Sequence, residues 1–430
     1  MKRIIMLLVL VLAVTFTAIG VVKEQTREST GDVSQGLNVI ANQSDMAKSV
    51  MSSEKIVFSA DDFERSLNLA RISSITVVSL PNVSDGCLCI GDVLVNEGQT
   101  VSRENLDLLN YRAGNGDVNE AQFKFKVNGS EYLMTCSIYF LERPNSAPTL
   151  AMEDERIFNV STHQSVRIYG RVGAYDPEGD DVRYEIVSYA KNGTIDLDMT
   201  TGEYTYTPTG AYFGEDSFMY VAVDKYGNYS SAKKVNLSVE KRTTDVVYCD
   251  MDDHPSHHAA LTMTEKGIMS GTSIGDATYF MPDKSVSRMD FLVMLMHAIG
   301  VSKTDVVLDT GFDDDGEIPA SMKGYVYAAR QMGIISGAVD EQGNYYFHPN
   351  RNITRAEAAL IINNVVNGKL PTVKPTFADR DSIPTWAHDA VYALNDLGIL
   401  VGINGEFAPD ANMTRAQAAQ TFYALLDYIQ

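Results

Sequence analysis

The stretch Ile353-Thr354-Arg355-Ala356-Glu357 returns in altered form as Met413-Thr414-Arg415-Ala416-Gln417 and as Val286-Ser287-Arg288-Met289-Asp290. In each copy a Thr or Ser stands where a helix N-cap belongs. Glu357, Gln417 or Asp290 follows three places on, which is the capping-box pattern and predicts a helix start. An arginine holds the first helical position in all three copies, where the positive end of the helix dipole makes a cation mildly unfavourable. Two readings follow. Free backbone N–H groups at a helix start form an anion site, to which a guanidinium adds a charge-assisted contact with a carboxylate or phosphate. Alternatively, each arginine pairs with a nearby carboxylate of this acidic chain. Spacing alone does not separate the two.

The stretch belongs to a long repeat. Glycine phrases begin at Gly267, Gly333 and Gly398, 66 and 65 positions apart; Phe-x-Pro phrases begin at Phe280, Phe347 and Phe407, spaced 67 and 60, and the arginines keep that same 67 and 60. Before the glycine phrase of the third copy, Ala390, Val391, Ala393, Leu394 and Leu397 form a helical apolar stripe that Gly398 would end. Tyr325, Val326, Ala328, Ala329 and Met332 hold the same places in the second copy. The helices after the arginines are apolar nearly all round, which predicts burial and, for three alanine-rich helices, a shared central bundle.

The rest of the chain is organised differently. At 430 residues it is too long for one core. With 35 basic and 56 acidic residues and no Lys/Arg cluster after residue 3, nucleic acid is excluded as a partner. Residues 1–20 read as a secretory signal: Lys2 and Arg3, an apolar run from Ile4 to Val14, then Ala18 and Gly20 near a cleavage point. If uncleaved, the apolar run extended through Phe16 to Val22 is almost long enough to serve as an anchor; no later segment could span a bilayer, so no membrane span is expected after signal removal. Residues 21–54, polar and without periodicity, read as a flexible linker. Residues 55–142 and 147–240 each show alternating strand runs between Gly, Asn and Asp turns, which predicts two all-β modules. Cys87 and Cys89 share one face of a strand; a bridge from one of them to Cys136 stays open, and remote Cys249 is expected unpaired. Asp176, Glu178, Asp180 and Asp224 supply the hard oxygens that calcium takes, though Asp176-Pro177-Glu178-Gly179-Asp180 is also a plain turn sequence.

Several phrases carry resemblances. Gly86 to Gly91 and Gly98 to Val101, and more specifically Asp176 to Asp180, Gly202 to Pro208, Phe213 to Phe218 and Asp224 to Gly227, resemble the cadherin-like, Ig-like sandwich modules of bacterial surface proteins. That resemblance implies a stalk or adhesive unit with calcium near module junctions, and sets Leu88 and Ile90 inward with both strand cysteines outward. Residues 245–302, 310–369 and 375–430 resemble three copies of the S-layer homology domain, through Phe377-Ala378-Asp379, Pro384-Thr385-Trp386-Ala387, the glycine phrase, the Phe-x-Pro phrase and Thr-Arg-Ala-Glu/Gln. The first copy departs from the pattern at Tyr248-Cys249-Asp250, Met289 and Asp290. The resemblance implies an all-α pseudo-threefold domain with a central three-helix bundle. Its implied role is non-covalent attachment to a cell-wall secondary polysaccharide, often pyruvylated. Implied binding residues are Arg355, Arg415 and Arg288, with Asp314 and Asp379 on sugar hydroxyls, Trp386 stacked on a ring, and Gly337 and Gly402 admitting a close approach.

No enzyme is expected. His254, His257 and His258 lack the glutamate of the helical metalloprotease motif, Pro255 interrupts any helix, and a solvated loop is the simpler reading. No nucleophile elbow, phosphate loop or dinucleotide fingerprint occurs, and no motif requires a cofactor. The sequence thus predicts an exported surface protein held to the wall by its C-terminal part. A self-associating lattice protein, or an enzyme with its site within residues 55–240, stand as the alternatives.

Overall fold

The computed structural model describes residues 45–51, 55–67, 69–114, 119–150, 155–371 and 376–429. The secretory signal and most of the linker stretch lie outside the described residues.

The first module contains β1 (Asp45–Met51), β2 (Ile56–Val57), β3 (Ser74–Ser79), β4 (Gly86–Ile90), β5 (Val93–Leu94), β6 (Thr100–Ser102), β7 (Leu109–Ala113), β8 (Glu120–Val127) and β9 (Met134–Leu141). They form two sheets, ordered β1-β9-β8-β3-β6 and β2-β7-β4-β5. Alternation along β8 sends Ala121, Phe123, Phe125 and Val127 inward. There Phe123 meets Phe58 edge-on at 5.7 Å.

Three expectations are corrected here. Residues 45–51 are no linker: β1 runs parallel to β9, from Asp45 opposite Thr135 to Met51 opposite Leu141. Only Met46 is fully buried along it, so the ladder places this strand without the apolar alternation that would have revealed it. The module is not purely β either, since α1 (Ala60–Ser66) starts on a full capping box between Ser59 and Asp62, and the short α2 (Arg103–Leu106) follows β6. Finally, Cys89 is buried rather than outward, and all four cysteines are free.

In the second module β10 (Thr149–Leu150) pairs with β13 (Ala174–Tyr175). A larger sheet is ordered β11 (Asn159–His163), β18 (Lys233–Glu240), β17 (Gly214–Asp224), β14 (Val182–Ser188), and a facing sheet β12 (Ile168–Arg171), β16 (Glu203–Pro208), β15 (Gly193–Leu197). Tyr204, Tyr206, Phe218 and Tyr220 fill the space between. As in the first module, the opening strand of a sheet lies parallel to the closing one, with His163 directly opposite Glu240.

The C-terminal part contains α3 (His257–Glu265), α4 (Arg288–Ala298), α5 (Lys323–Gln331), α6 (Arg355–Val366), α7 (His388–Asp396) and α8 (Arg415–Ile429), but it is not all-α as expected, since short hairpins pair Thr272–Ile274 with Ala277–Tyr279 and Ala338–Val339 with Tyr345–Tyr346. Gly333 and Gly398 end their helices at φ +72° and +68°, the left-handed conformation that glycine adopts without strain. Each arginine helix packs on the glycine-phrase helix of the next copy: α4 on α5, α6 on α7, and α8 back on α3. A single apolar core runs through all three copies. Inside it a closed triangle of backbone hydrogen bonds links them, from Ile353 N to Val286 O (3.0 Å), Val286 N to Met413 O (2.9 Å) and Met413 N to Ile353 O (2.9 Å). The residues just before the arginines therefore tie the copies together.

Candidate functional site: the arginine seams

The capping chemistry forms as the sequence requires. Thr354 Oγ1 accepts from Glu357 N while Glu357 accepts from Thr354 N, and Thr414 with Gln417 repeats both bonds. In the first copy Ser287 Oγ accepts from Asp290 N at 3.0 Å. The helix starts are not open anion sites, however. Arg355 N and Ala356 N donate to Ala411 O and Pro409 O, Arg415 N and Ala416 N to Lys284 O and Pro282 O, and Arg288 N and Met289 N to Arg351 O and Pro349 O. Carbonyls of the next copy consume the N–H groups that an anion would need.

The side chains repeat that cycle. Arg355 donates from Nε to Phe407 O (2.7 Å) and from Nη2 to Val401 O (2.8 Å), and lies over the Phe407 ring at 4.8 Å. Arg415 donates from Nε to Phe280 O and from Nη2 to Ser270 O, both at 2.7 Å, over the Phe280 ring at 4.7 Å. Arg288 donates from Nε to Phe347 O at 3.0 Å over the Phe347 ring, and its Nη1 lies 3.6 Å from Glu357. Second reaches third, third reaches first, first reaches second. Carboxylate pairing, one of the two readings open from spacing, is realised at Arg288; Arg355 and Arg415 instead hold carbonyls and aromatic faces.

The seams differ in depth. Arg355 is 2% exposed, and burial pushes its guanidinium pKa down to about 10 against a smaller opposing pull from Asp379. Burial lowers those of Arg415 and Arg288 as well, but both residues keep some contact with solvent.

The remaining predicted residues divide. Asp314 accepts from Phe347 N and His348 N, and Asp379 from Phe407 N and Ala408 N. Asp250 does the same for Phe280 N and Met281 N. Met281, His348 and Ala408 all have φ between +55° and +60°. The carboxylate thus holds two successive N–H groups of a strained Phe-x-Pro turn, which makes the first copy equivalent to the others despite Tyr248-Cys249-Asp250. Gly337 and Gly402 admit a close approach, but by an internal group: an added Cβ would lie 2.6 Å from the Phe312 ring and 2.7 Å from the Phe377 ring. Trp386 is 52% exposed. The Phe-x-Pro aromatics were missed as partners of the arginines, although their identical 67 and 60 spacing carried that signal.

The four proposed calcium ligands do not gather into one cluster. Asp176 accepts from Glu178 N and Asp180 N, Asp224 from Tyr226 N and Asn228 N, Glu178 from Ser146, and Asp180 pairs with Lys225 at 2.7 Å. The turn forms on Asp176 Oδ1, while Asp176 Oδ2 is left buried without a hydrogen-bond partner. Among the described residues, the group of side chains close enough to hold a metal is instead His163, Glu240 and His258.

Comparison with known proteins fits this geometry. Residues 311–359 and 376–419 match the S-layer homology domain, and residues 145–238 match the bacterial Ig domain. An endoglucanase of Bacillus sp. (strain KSM-635) is 33% identical over 170 residues, 38% of this chain and 17% of that protein. The S-layer protein EA1 of Bacillus anthracis is 30% identical over 171 residues, 38% of this chain and 18% of that protein. The S-layer protein of Bacillus licheniformis is 29% identical over 179 residues, 41% of this chain and 19% of that protein. The chain thus spans less than a fifth of these relatives' lengths. Among solved structures, the fibronectin(III)-like modules of Clostridium thermocellum CbhA align over 46% of this chain and 90% of theirs at 12% identity, with a TM-score of 0.21 that carries no argument.

The chain carries S-layer homology and bacterial Ig domains. It is a secreted protein of the cell surface or cell wall, and no described helix is long and apolar enough to cross a membrane.

Proposed function

We propose that the three C-terminal copies hold the protein non-covalently on a cell-wall secondary polysaccharide, with carboxylates of pyruvylated sugars seated at the seams between copies. The two β modules then serve as the displayed stalk or adhesive unit, with no catalytic step of their own. The observation that carries this reading is Arg415, a cation kept partly exposed at the seam of the third and first copies by two 2.7 Å bonds to carbonyls. Those bonds account for two of a guanidinium's five N–H donors. Trp386, exposed on the third copy, adds an apolar face on which a sugar ring can stack. Arg355, sealed within its seam, is assigned to holding copies together, so the binding role rests on Arg415 first and Arg288 second.

Sedimentation of the full chain with isolated cell walls tests the ligand class. The chain should pellet with intact walls and stay in solution after the secondary polysaccharide is stripped chemically; equal pelleting with stripped walls overturns the proposal. A second reading, self-assembly into a lattice, is favoured by the relatives named S-layer proteins. Electron microscopy of the concentrated pure chain would show ordered sheets in that case.

A further inference from the structure

Where the Ig module meets the first C-terminal copy, four titratable side chains converge from both sides. His163 ends β11 opposite Glu240 at the end of β18, while His258 and Glu265 stand near the two ends of α3. His163 is fully buried. Its Nδ1 lies 2.8 Å from His258 Nδ1, its Nε2 lies 3.2 Å from Glu265 Oε2, and Glu240 Oε2 lies 3.7 Å from the same Nε2. Glu265 is itself fixed by Thr243 N and Thr244 N at 2.7 and 3.2 Å.

The proton count of this cluster is informative. A carboxylate only accepts, so the Glu265 contact keeps a proton on His163 Nε2 and leaves Nδ1 of a neutral His163 as a lone pair. That lone pair faces His258 Nδ1, and two facing nitrogens at 2.8 Å require one proton between them. The other nitrogen of His258, Nε2, is buried without a hydrogen-bond partner. A buried, incompletely bonded imidazole beside a second imidazole and a carboxylate is a costly arrangement for folding alone.

We propose that this cluster is a binding site for a first-row divalent cation of the zinc class, with His163, His258 and Glu240 as ligands. One ligand atom from each already lies within 4.8 Å of the others. The cation would take the place of the proton between the imidazoles, which need separate only to about 3.3 Å to sit roughly 2.0–2.1 Å from a tetrahedral ion, and the half-exposed Glu240 side chain, now 3.7 Å from the opposite nitrogen Nε2, would turn toward the Nδ1 side to complete the set. Water would fill the fourth position. Glu265 is then a positioning residue, the outer carboxylate that fixes the tautomer and ring orientation of a ligating histidine. Two ligands come from the Ig module and one from the first copy, so the ion would fasten the displayed module to the wall-binding body. The Arg167–Asp253 ion pair already crosses the same interface, and Arg156 ties the Ig module to the third copy by donating to Leu397 O at 3.0 Å.

The test uses the full chain, freed of metal by a chelator and titrated with Zn2+ and with Co2+. One tightly held ion per chain is expected, with thermal unfolding raised by Zn2+ and a Co2+ absorption spectrum of nitrogen and oxygen ligands without thiolate charge transfer. His258→Gln should abolish binding. Glu240→Gln, at a half-exposed position that tolerates the change, should abolish or greatly weaken it in a folded chain, and Glu265→Gln should weaken it about 10- to 100-fold. Cys249→Ser and His254→Gln should change nothing. The proposal is overturned by an absence of tight binding in the parent chain, by binding that survives Glu240→Gln undiminished, or by binding lost with Cys249→Ser.

Discussion

Arg355 and Arg415 occupy the same place in the same phrase, bond the same two kinds of carbonyl and cover the same kind of ring, yet only Arg415 keeps contact with solvent. The difference teaches that the phrase encodes a clamp between copies. Exposure, which the phrase does not encode, decides whether the clamp is also available to a ligand.

Removing Arg355 should therefore do the most damage. Arg355→Ala strands the buried Phe407 carbonyl, removes the donor of the part-buried Val401 carbonyl and opens a cavity, for a loss of about 3–5 kcal/mol by urea unfolding. Arg415→Ala, at a wetter seam, should lose about 1–2 kcal/mol. Equal losses would erase the distinction between the seams.

Next comes the glycine beside Phe312. Gly337→Ala places a methyl group against that ring at a backbone φ of +80°, and should cost about 1–3 kcal/mol. A stability change below about 0.5 kcal/mol would show that the turn yields freely.

The first copy supplies a sharper comparison. Asp250→Ala should destabilise about as much as Asp379→Ala, roughly 1–3 kcal/mol each, because each leaves a pair of turn N–H groups unbonded. A neutral Asp250→Ala would mean that the first copy is no true equivalent.

The smallest effect concerns pH. Burial would raise the Glu357 pKa, but the Arg351 contact, the Thr354 N–H and the Arg288 and Arg351 charges outweigh it and hold the carboxyl below its usual 4.5. A carboxyl with a depressed folded pKa contributes stability above its unfolded value and loses it as the pH falls through the folded one. Glu357→Gln should therefore flatten the fall in stability below about pH 4.5, measured as urea midpoints from pH 6 to pH 3. An unchanged slope would remove Glu357 from the seam's charge balance.

The sequence made the C-terminal organisation legible because repeated phrases at matched spacing report contacts that periodicity alone does not. The equal intervals of Phe-x-Pro and arginine phrases are the imprint of one residue lying on the other. Exposure was not legible, since Arg355 and Arg415 are the same residue in the same phrase and are separated only by what packs over them. The helix-start anion site failed for a related reason: the donors exist, but a carbonyl more than fifty residues away reaches each one first. Strand β1 was hidden because backbone pairing, unlike burial, leaves no mark on side-chain composition. The histidine cluster was misread in part, since His257 and His258, expected in a solvated loop, begin α3 just after Pro255, while His163 and Glu240 come from another module.

The central claim, that a partly exposed seam arginine holds an anionic wall polymer while a sealed one holds the fold, is tested most directly by wall sedimentation of Arg415→Ala, with folding checked by urea unfolding. The account predicts a folded variant whose wall affinity falls at least tenfold, about 1.4 kcal/mol. A folded Arg415→Ala chain that pellets as well as the parent would contradict it.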